Sequence, residues 1–307
     1  MGTPEFAVPS LEALIKGPYE VVAVYTQPDK QSGRGRDFTM SPVKETSLYY
    51  GLEVAQPEAL KDAMVVEQLS QYKPELIVVA AYGKLIPQEI LGIPASGCIN
   101  VHPSLLPRYR GASPIQTALL RGDEVTGVTI MLLDAGMDSG PILRQEEVPI
   151  DSNDTGGSLT ITLANAGAQL LARTLPDWLA GKIKARPQDE SRASYTKTIK
   201  KEDGRLDWSL PARDLWLRIR AFNPWPGCYT TWNGRKLRID SALPLSEKSN
   251  GQVGRIVALP RTSMANVGVE CGWGILALLT VQLEGKRRMP VEDFIRGQRD
   301  FIGSILV

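Results

Sequence analysis

The chain has 307 residues, 43% hydrophobic and 22% charged, a soluble globular composition long enough for two domains. Net charge is +1, and the three cysteines (Cys98, Cys228, Cys271) form no C-x-x-C pair or His/Cys cluster, so neither a disulfide framework nor a zinc site is indicated and a reducing cytoplasm is the simplest setting. No signal peptide opens the chain, and the apolar runs near 76–82 and 275–283 are too short to span a bilayer.

In chain order, Met1–Phe6 reads as a turn that leads into a helix over about Pro9–Lys16. Glu20–Tyr25 is a near-continuous apolar run, as in a strand buried on both faces. Gln27–Lys44 is a long polar loop carrying Gly33-Arg34-Gly35-Arg36, too glycine-rich for a helix and charged enough to meet phosphates; taken alone it is a surface loop. No G-x-G-x-x-G follows the first strand position, so the dinucleotide fingerprint is absent. Ser41 and Pro42 suit the N-cap and first position of the next helix. Pro57–Tyr72 reads as a helix and Glu75–Ala81 as a buried strand ending at Tyr82-Gly83, where the glycine lets a flat ligand approach the backbone.

The next stretch, Cys98–Gly111 (CINVHPSLLPRYRG), organises the rest and holds the only histidine, His102. In an extended segment residues i and i+2 share a face, so Asn100 and His102 project together, and Pro103 ends the strand. Open α/β sheets bind ligands at the carboxyl ends of their strands. An isolated Asn-x-His is usually an ordinary strand end. Here Ser104–Pro107 and Arg108–Gly111 make a proline-bracketed loop with two cations and an aromatic, the composition of a site. A helix over about Pro114–Arg121 and a strand over Gly127–Asp134 follow, then a glycine loop, Ala135–Gly140, with two acids, Asp134 and Asp138, of which one suits a turn cap. The spacing from His102 fits one crossover helix and a strand, which brings neighbouring strand ends together. Ile142–Ile150 continues the sheet, Asp154-Thr155 caps a helix to about Ala180, and polar Lys182–Lys201 reads as a linker.

The character then changes. Trp208, Trp216, Ala221–Gly227 (AFNPWPG), Trp232-Asn233-Gly234 and two further glycine clusters punctuate short apolar segments, which suggests a small antiparallel barrel. Asn233-Gly234 is a hairpin signal, Lys286-Arg287-Arg288 a basic loop, and Val291–Arg299 a closing helix. The tryptophans suit a core better than a base-stacking platform. Charge is unevenly divided: residues 1–199 hold 18 Lys+Arg against 23 Asp+Glu, and residues 200–307 hold 17 against 11. The basic C-terminal third suits a surface that meets phosphates, and equally a merely solvated one.

NVHPSLLPRYRG, followed by GVTIMLLDAGMDSG (Gly127–Gly140), resembles the folate-dependent formyltransferases, nearly end to end. The resemblance implies a Rossmann-like α/β catalytic domain with a mostly parallel sheet over 1–181, a linker over 182–200, and an OB-like β-barrel that binds tRNA over 201–307. It implies transfer of a formyl group from 10-formyltetrahydrofolate to the α-amine of methionine on initiator tRNA, with no metal, by a cytoplasmic monomer that needs no membrane. The family pattern makes Asn100, His102 and Asp138 catalytic, leaving Asp134 structural. Asn100 and protonated His102 then donate to the formyl oxygen, and Asp138 orients the imidazole, favours its charged form and helps move the amine's proton. Tyr82, Gly83, Ser104, Leu105, Leu106 and Pro107 are expected to line the folate pocket. Arg34 and Arg36, carried by a loop that inserts at the tRNA acceptor end, and Lys286, Arg287 and Arg288 are expected to touch tRNA. In the family a short apolar strand precedes the GTPEFA turn, so the start is expected to lie inside the true reading frame or to be trimmed.

Three other readings compete. The nearest is a formyltransferase acting on another amine: glycinamide ribonucleotide enzymes share the Asn-x-His and SLLP motifs but typically lack a basic C-terminal barrel, and those for amino-sugar nucleotides have a C-terminal domain of related type. A non-catalytic RNA-binding protein on a relic α/β domain is opposed by intact Asn100, His102 and Asp138. A nicotinamide dehydrogenase is opposed by the missing glycine fingerprint.

Overall fold

The computed structural model describes residues 1–32, 37–245, 251–260 and 265–307. They form two compact units: Met1–Pro114, Val125–Ile150 and Thr160–Thr196 make the first, and Ile115–Glu124, Asp151–Leu159 and Lys197–Val307 the second. Among the described residues no helix is long and apolar enough to cross a membrane.

The first unit is built on a four-stranded sheet in the order Ile77–Val79, Cys98–His102, Val125–Leu132, Ile142–Pro149. The first pair is parallel, but the other two are antiparallel. The sheet is therefore mixed, not mostly parallel as expected. Val125–Leu132 and Ile142–Pro149 are joined by a loop only nine residues long, which suits a hairpin and is too short for a parallel crossover. Ile99, Val101, Ile130 and Met131 are buried at the sheet centre. The helix Gly156–Leu179 buries Leu163, Leu170 and Leu171 along one side. It comes so near the sheet that a Cβ on Gly167 would lie 2.7 Å from Val101 Cγ1, so only glycine fits there.

The helix Val8–Lys16 matches expectation, and so does the helix Pro42–Tyr49, where Ser41 Oγ accepts the Lys44 N–H at 3.2 Å. Two elements are shorter than their apolar runs. The helix expected from Pro57 begins only at Ala63, because Asp62 takes the N-cap and accepts the Met64 N–H at 2.9 Å. The strand expected over Glu20–Tyr25 shrinks to Val24–Tyr25, paired in parallel with Val54–Ala55. On its other side Met1 and Gly2 lie between Val24–Tyr25 and Ile77–Val79: Gly2 N–H donates to Tyr25 O, Ala80 N–H to Met1 O, and the Met1 ammonium to Val78 O at 2.7 Å. These two residues fill one end of the gap. The remainder is a cavity of about 470 Å³ bordered by Leu11, Tyr19, Val22, Leu76 and Leu179, and no described chain pairs with residues 20–23 there.

The second unit carries a six-stranded antiparallel sheet. Cys228–Trp232 and Arg235–Leu245 form the expected hairpin, with Asn233 at φ 47° and Gly234 at φ 71°, both left-handed as a two-residue turn requires. Leu237, Val267, Val269, Leu276 and Leu278 fill the interior. Trp232, Phe294 and Phe301 meet edge to face at centroid distances of 4.9–5.7 Å, which closes the short helix Val291–Gly297 onto the sheet. Trp208 and Trp232 are core residues, as read, while Trp225 and Trp273 are more than half exposed.

Candidate active site

Pro103 ends the strand Cys98–His102, and the alternation along it sets Asn100 and His102 on one face. The neighbouring strand Val125–Leu132 runs antiparallel, so its end at Leu132 lies beside Ile99 and not beside His102 as the crossover spacing implied; the loop 133–141 folds back to bring Asp138 to the imidazole. There the three sequence-predicted residues converge. Asp138 Oδ2 lies 3.7 Å from His102 Nδ1, an electrostatic contact longer than a hydrogen bond, and Asn100 Nδ2 reaches Asp138 Oδ1 at 3.4 Å. Gly111 N–H donates to Asp138 Oδ2 at 2.8 Å. His102 is 4% exposed and Asp138 17% exposed, so the imidazole is sheltered while the carboxylate edge still faces solvent.

The second imidazole nitrogen is committed. His102 Nε2 sits 3.0 Å from Tyr109 O, and a carbonyl only accepts, so Nε2 carries a proton and donates. This leaves Nδ1 as the nitrogen able to exchange a proton beside Asp138. Tyr109 (φ 62°) and Asp138 (φ 51°) both hold left-handed backbone, unusual outside glycine. Asp134 is the turn cap: its Oδ1 accepts the Gly136 N–H at 3.0 Å and the Ser139 hydroxyl at 2.9 Å.

The remaining predicted residues divide by orientation. Tyr82 is 1% exposed with its hydroxyl buried among core residues, whereas Gly83 beside it is exposed at φ 80°. Ala81 and Leu85 are also exposed, so this strand end offers backbone and apolar surface, not the phenol. Ser104 is fully buried and donates to Arg108 O, Leu106 and Pro107 are buried, and Leu105 is half-buried. The loop's shape is held from below: Leu106 N–H donates to Thr129 Oγ1 at 3.1 Å, Thr129 donates to Ser104 O at 2.6 Å, and Gln145 Nε2 donates to Leu106 O at 2.9 Å. Arg34 and Arg36 lie outside the described residues. In the second unit Lys286, Arg287 and Arg288 are exposed in the loop before Met289–Pro290, and Arg288 Nε pairs with Asp240 Oδ2 at 3.3 Å. Among the described residues no group of three His, Cys, Asp or Glu side chains is placed to hold a metal ion.

Sequence reasoning missed Arg110, Gln188, Glu190 and Tyr195. Arg110, 1% exposed, makes two bonds each to Gln188 and Glu190 and one to the Tyr195 hydroxyl, at 2.6–3.1 Å. The guanidinium holds the Glu190 carboxyl below the usual carboxylate range. The arginine was visible in RYRG, but its partners lie in the polar stretch read as linker, and no periodicity marks them.

The family model for formyl transferase matches residues 1–175, and the model for the formyl transferase C-terminal domain matches residues 198–299. The methionyl-tRNA formyltransferase of Chloroflexus aurantiacus is 47% identical over 297 residues, covering 97% of this chain and 95% of that protein. The methionyl-tRNA formyltransferase of Nitrosococcus oceani is 47% identical over 307 residues, covering 100% and 94%. Among solved structures, an N-formyltransferase from Helicobacter canadensis, in complex with folinic acid and dTDP-3-aminofucose, superimposes with a TM-score of 0.63 at 19% identity, covering 90% of this chain and 97% of that one. At that identity the likeness speaks for the fold alone. The motif-bearing strand, the family matches over both units and the near full-length identity agree: the chain belongs to the formyl transferase family, alongside the methionyl-tRNA formyltransferases.

Proposed function

We propose that the chain transfers the formyl group of 10-formyltetrahydrofolate to the α-amine of methionyl initiator tRNA, and that Asn100, His102 and Asp138 carry the reaction. The observation that supports this most is the convergence of the three side chains within 3.7 Å on one sheet face. The amine attacks the formyl carbon, and negative charge grows on the formyl oxygen. Asn100 Nδ2 makes a long 3.4 Å contact to Asp138 Oδ1, weak enough to be given up for donation to that oxygen. His102, fixed through Nε2, presents Nδ1 to the same space. Asp138 takes part in moving the amine's proton toward the departing folate nitrogen, directly or through water. No thiol or hydroxyl need attack, because the transfer passes directly from one nitrogen to the other.

The folate lies along the exposed backbone at Gly83 and the loop Ser104–Pro107. Tyr82 and Ser104 are buried and their carbonyls already accept hydrogen bonds from within the protein, so they shape this pocket from behind, and Gly83 and Leu105 present its surface. Residues 1–181 act as a Rossmann-like catalytic domain, 182–200 as the connection, of which 186–196 packs back against the first domain, and 201–307 as an OB-like domain. This last domain binds tRNA through Lys286, Arg287 and Arg288, together with Arg34 and Arg36 of the first domain. The enzyme works as a cytoplasmic monomer.

The test offers the protein 10-formyltetrahydrofolate with methionyl initiator tRNA, free methionine and an amino-sugar nucleotide as parallel acceptors. Formylation confined to the charged tRNA is expected; transfer to the sugar amine would keep the catalytic residues and overturn the acceptor. Asn100→Ala, His102→Ala and Asp138→Ala should each lower kcat on the order of 10²–10³-fold with much less effect on folate binding. Near-parental turnover by the His102 variant would sink the catalytic assignment.

A further inference from the structure

The loop that carries Asp138 is gripped from a segment that the sequence presents as a polar connection. Asp138 holds left-handed backbone, so its placement must be imposed by its neighbours. Its carboxylate is held by Gly111 N–H at 2.8 Å. Its main chain is held by a different residue: Gln188 Nε2 donates to Asp138 O at 2.8 Å and to Gly140 O at 2.7 Å, so one amide fixes the acid's own carbonyl and the one two residues on. The other end of the same amide, Gln188 Oε1, accepts from Arg110 Nε at 3.1 Å and from a second Arg110 nitrogen at 2.8 Å. Carbonyls only accept and a guanidinium only donates, so one amide orientation alone satisfies all four contacts.

Arg110 closes the circuit. Its side chain reaches Gln188, and the next residue along the chain, Gly111, supplies the N–H that holds the Asp138 carboxylate. Arg110 is itself immobilised, being buried, bonded to Glu190 and Tyr195, and paired through its backbone, since Arg110–Gly111 runs parallel to Tyr195–Thr196. Ser194 O accepts the Arg110 N–H at 2.8 Å, and Ser194 Oγ accepts the Tyr109 N–H at 2.9 Å. The Tyr109 carbonyl in turn fixes His102 Nε2. The segment 186–196 thus holds the acid through Gln188 and the imidazole's partner through Ser194.

We propose that Gln188 is a positioning residue for formyl transfer: its two N–H groups set the Asp138 loop, and so the place of the carboxylate relative to His102 and Asn100. This rests on the reading of Asp138 as a participant in the reaction. An ångström of misplacement at a reacting centre lowers turnover on the order of 10²-fold without weakening substrate binding.

Gln188→Glu separates this role from a merely structural one. Glutamate keeps an acceptor oxygen for Arg110 but has no N–H for Asp138 O and Gly140 O. Steady-state kcat, KM for 10-formyltetrahydrofolate, KM for methionyl initiator tRNA and Tm are measured for the parent, Gln188→Glu, Asp138→Asn and the double variant. The expected result is that Gln188→Glu loses about 10–100-fold in kcat, keeps both KM values within about threefold, and keeps its fold. The double variant should be no slower than Asp138→Asn alone, because both changes disable one unit. A Gln188→Glu enzyme turning over within about twofold of the parent overturns the proposal. So do losses that multiply in the double variant, or a Gln188→Glu chain that does not fold, since the amide then serves the fold instead of the acid. Near-parental turnover by Asp138→Asn has a different meaning: it overturns the role of Asp138 itself, and the positioning role with it.

Discussion

His102 is buried with one ring nitrogen against a carbonyl and the other facing a carboxylate, and the backbone does unfavourable things to keep it so. Tyr109 and Asp138 each sit in left-handed conformation, at a cost of about 1–3 kcal/mol apiece. At Tyr109 the ring is covered by the Arg108 guanidinium at 4.8 Å, and the residue's two main-chain polar groups both find partners. The three cysteines show the opposite case, reactive groups made inert by burial. Burial pushes the Cys98 thiol up to about 11 and the Cys228 and Cys271 thiols up to about 12, and all three are at most 2% exposed. Thiolate is the reactive form and is scarce at neutral pH under these conditions. A thiol reagent should therefore label none of them in the native protein and all three once it is unfolded. Fast labelling of any one in the native state would contradict the burial, and alanine at Cys228 or Cys271 should leave formyl transfer intact.

At the scale of elements, the two strands that meet at the site are joined to it by loops, and the loops are held by segments distant in sequence. Thr129 and Gln145 pin the Ser104–Pro107 loop from two neighbouring strands, and residues 186–196 pin both Arg110 and the Asp138 loop. The ion pair between Arg110 and Glu190 gives this last segment a pH dependence. The Glu190 carboxyl in the folded protein is depressed by Arg110, so the unfolded chain binds its proton more readily. The pair's contribution is present above the ordinary carboxylate range, near pH 4.3, and is lost as pH falls through the depressed folded value. Glu190→Gln should then lower Tm by a few degrees at neutral pH, because Glu190 is largely exposed and its pairing is screened. The gap from the parent should close below about pH 4. A gap that stays constant across that range would show that the carboxylate charge contributes nothing. In sequence this segment reads as a linker because its side chains are polar and aperiodic. Their partners are single buried groups, a pattern that hydrophobic periodicity does not report.

For the whole molecule the useful feature is the division of charge. Residues 200–307 carry 17 Lys+Arg against 11 Asp+Glu on a chain of net charge +1, and Lys286, Arg287 and Arg288 lie exposed together in one loop. Binding to phosphate weakens as salt rises, in proportion to the number of phosphates neutralised. Replacing all three by alanine should raise KM for methionyl initiator tRNA about tenfold and flatten the dependence of log K on log salt by about one for each phosphate no longer neutralised. KM for the folate and kcat at saturating tRNA should stay near parental. Arg288 already shares Asp240 with Arg238, so Lys286 and Arg287 should account for most of the effect. An unchanged salt slope would place the tRNA elsewhere.

What the sequence determined by itself is what local rules can carry. Proline after His102 ends a strand, alternation puts Asn100 and His102 on one face, Ser41-Pro42 starts a helix, Asn233-Gly234 turns a hairpin, and the long NVHPSLLPRYRG and GVTIMLLDAGMDSG motifs identify the family. Each depends on neighbours a few residues apart, which are visible along the chain. Only the tertiary structure decided that the sheet is mixed, that the apolar run 20–25 pairs through just two residues, that Tyr82 and Ser104 turn inward, and that Gln188, itself held by Arg110, grips the Asp138 loop. The physical reason is common to all four. A backbone hydrogen bond, a buried hydroxyl and a guanidinium are each satisfied by whichever group the fold brings within about 3 Å, and that group can lie dozens of residues away.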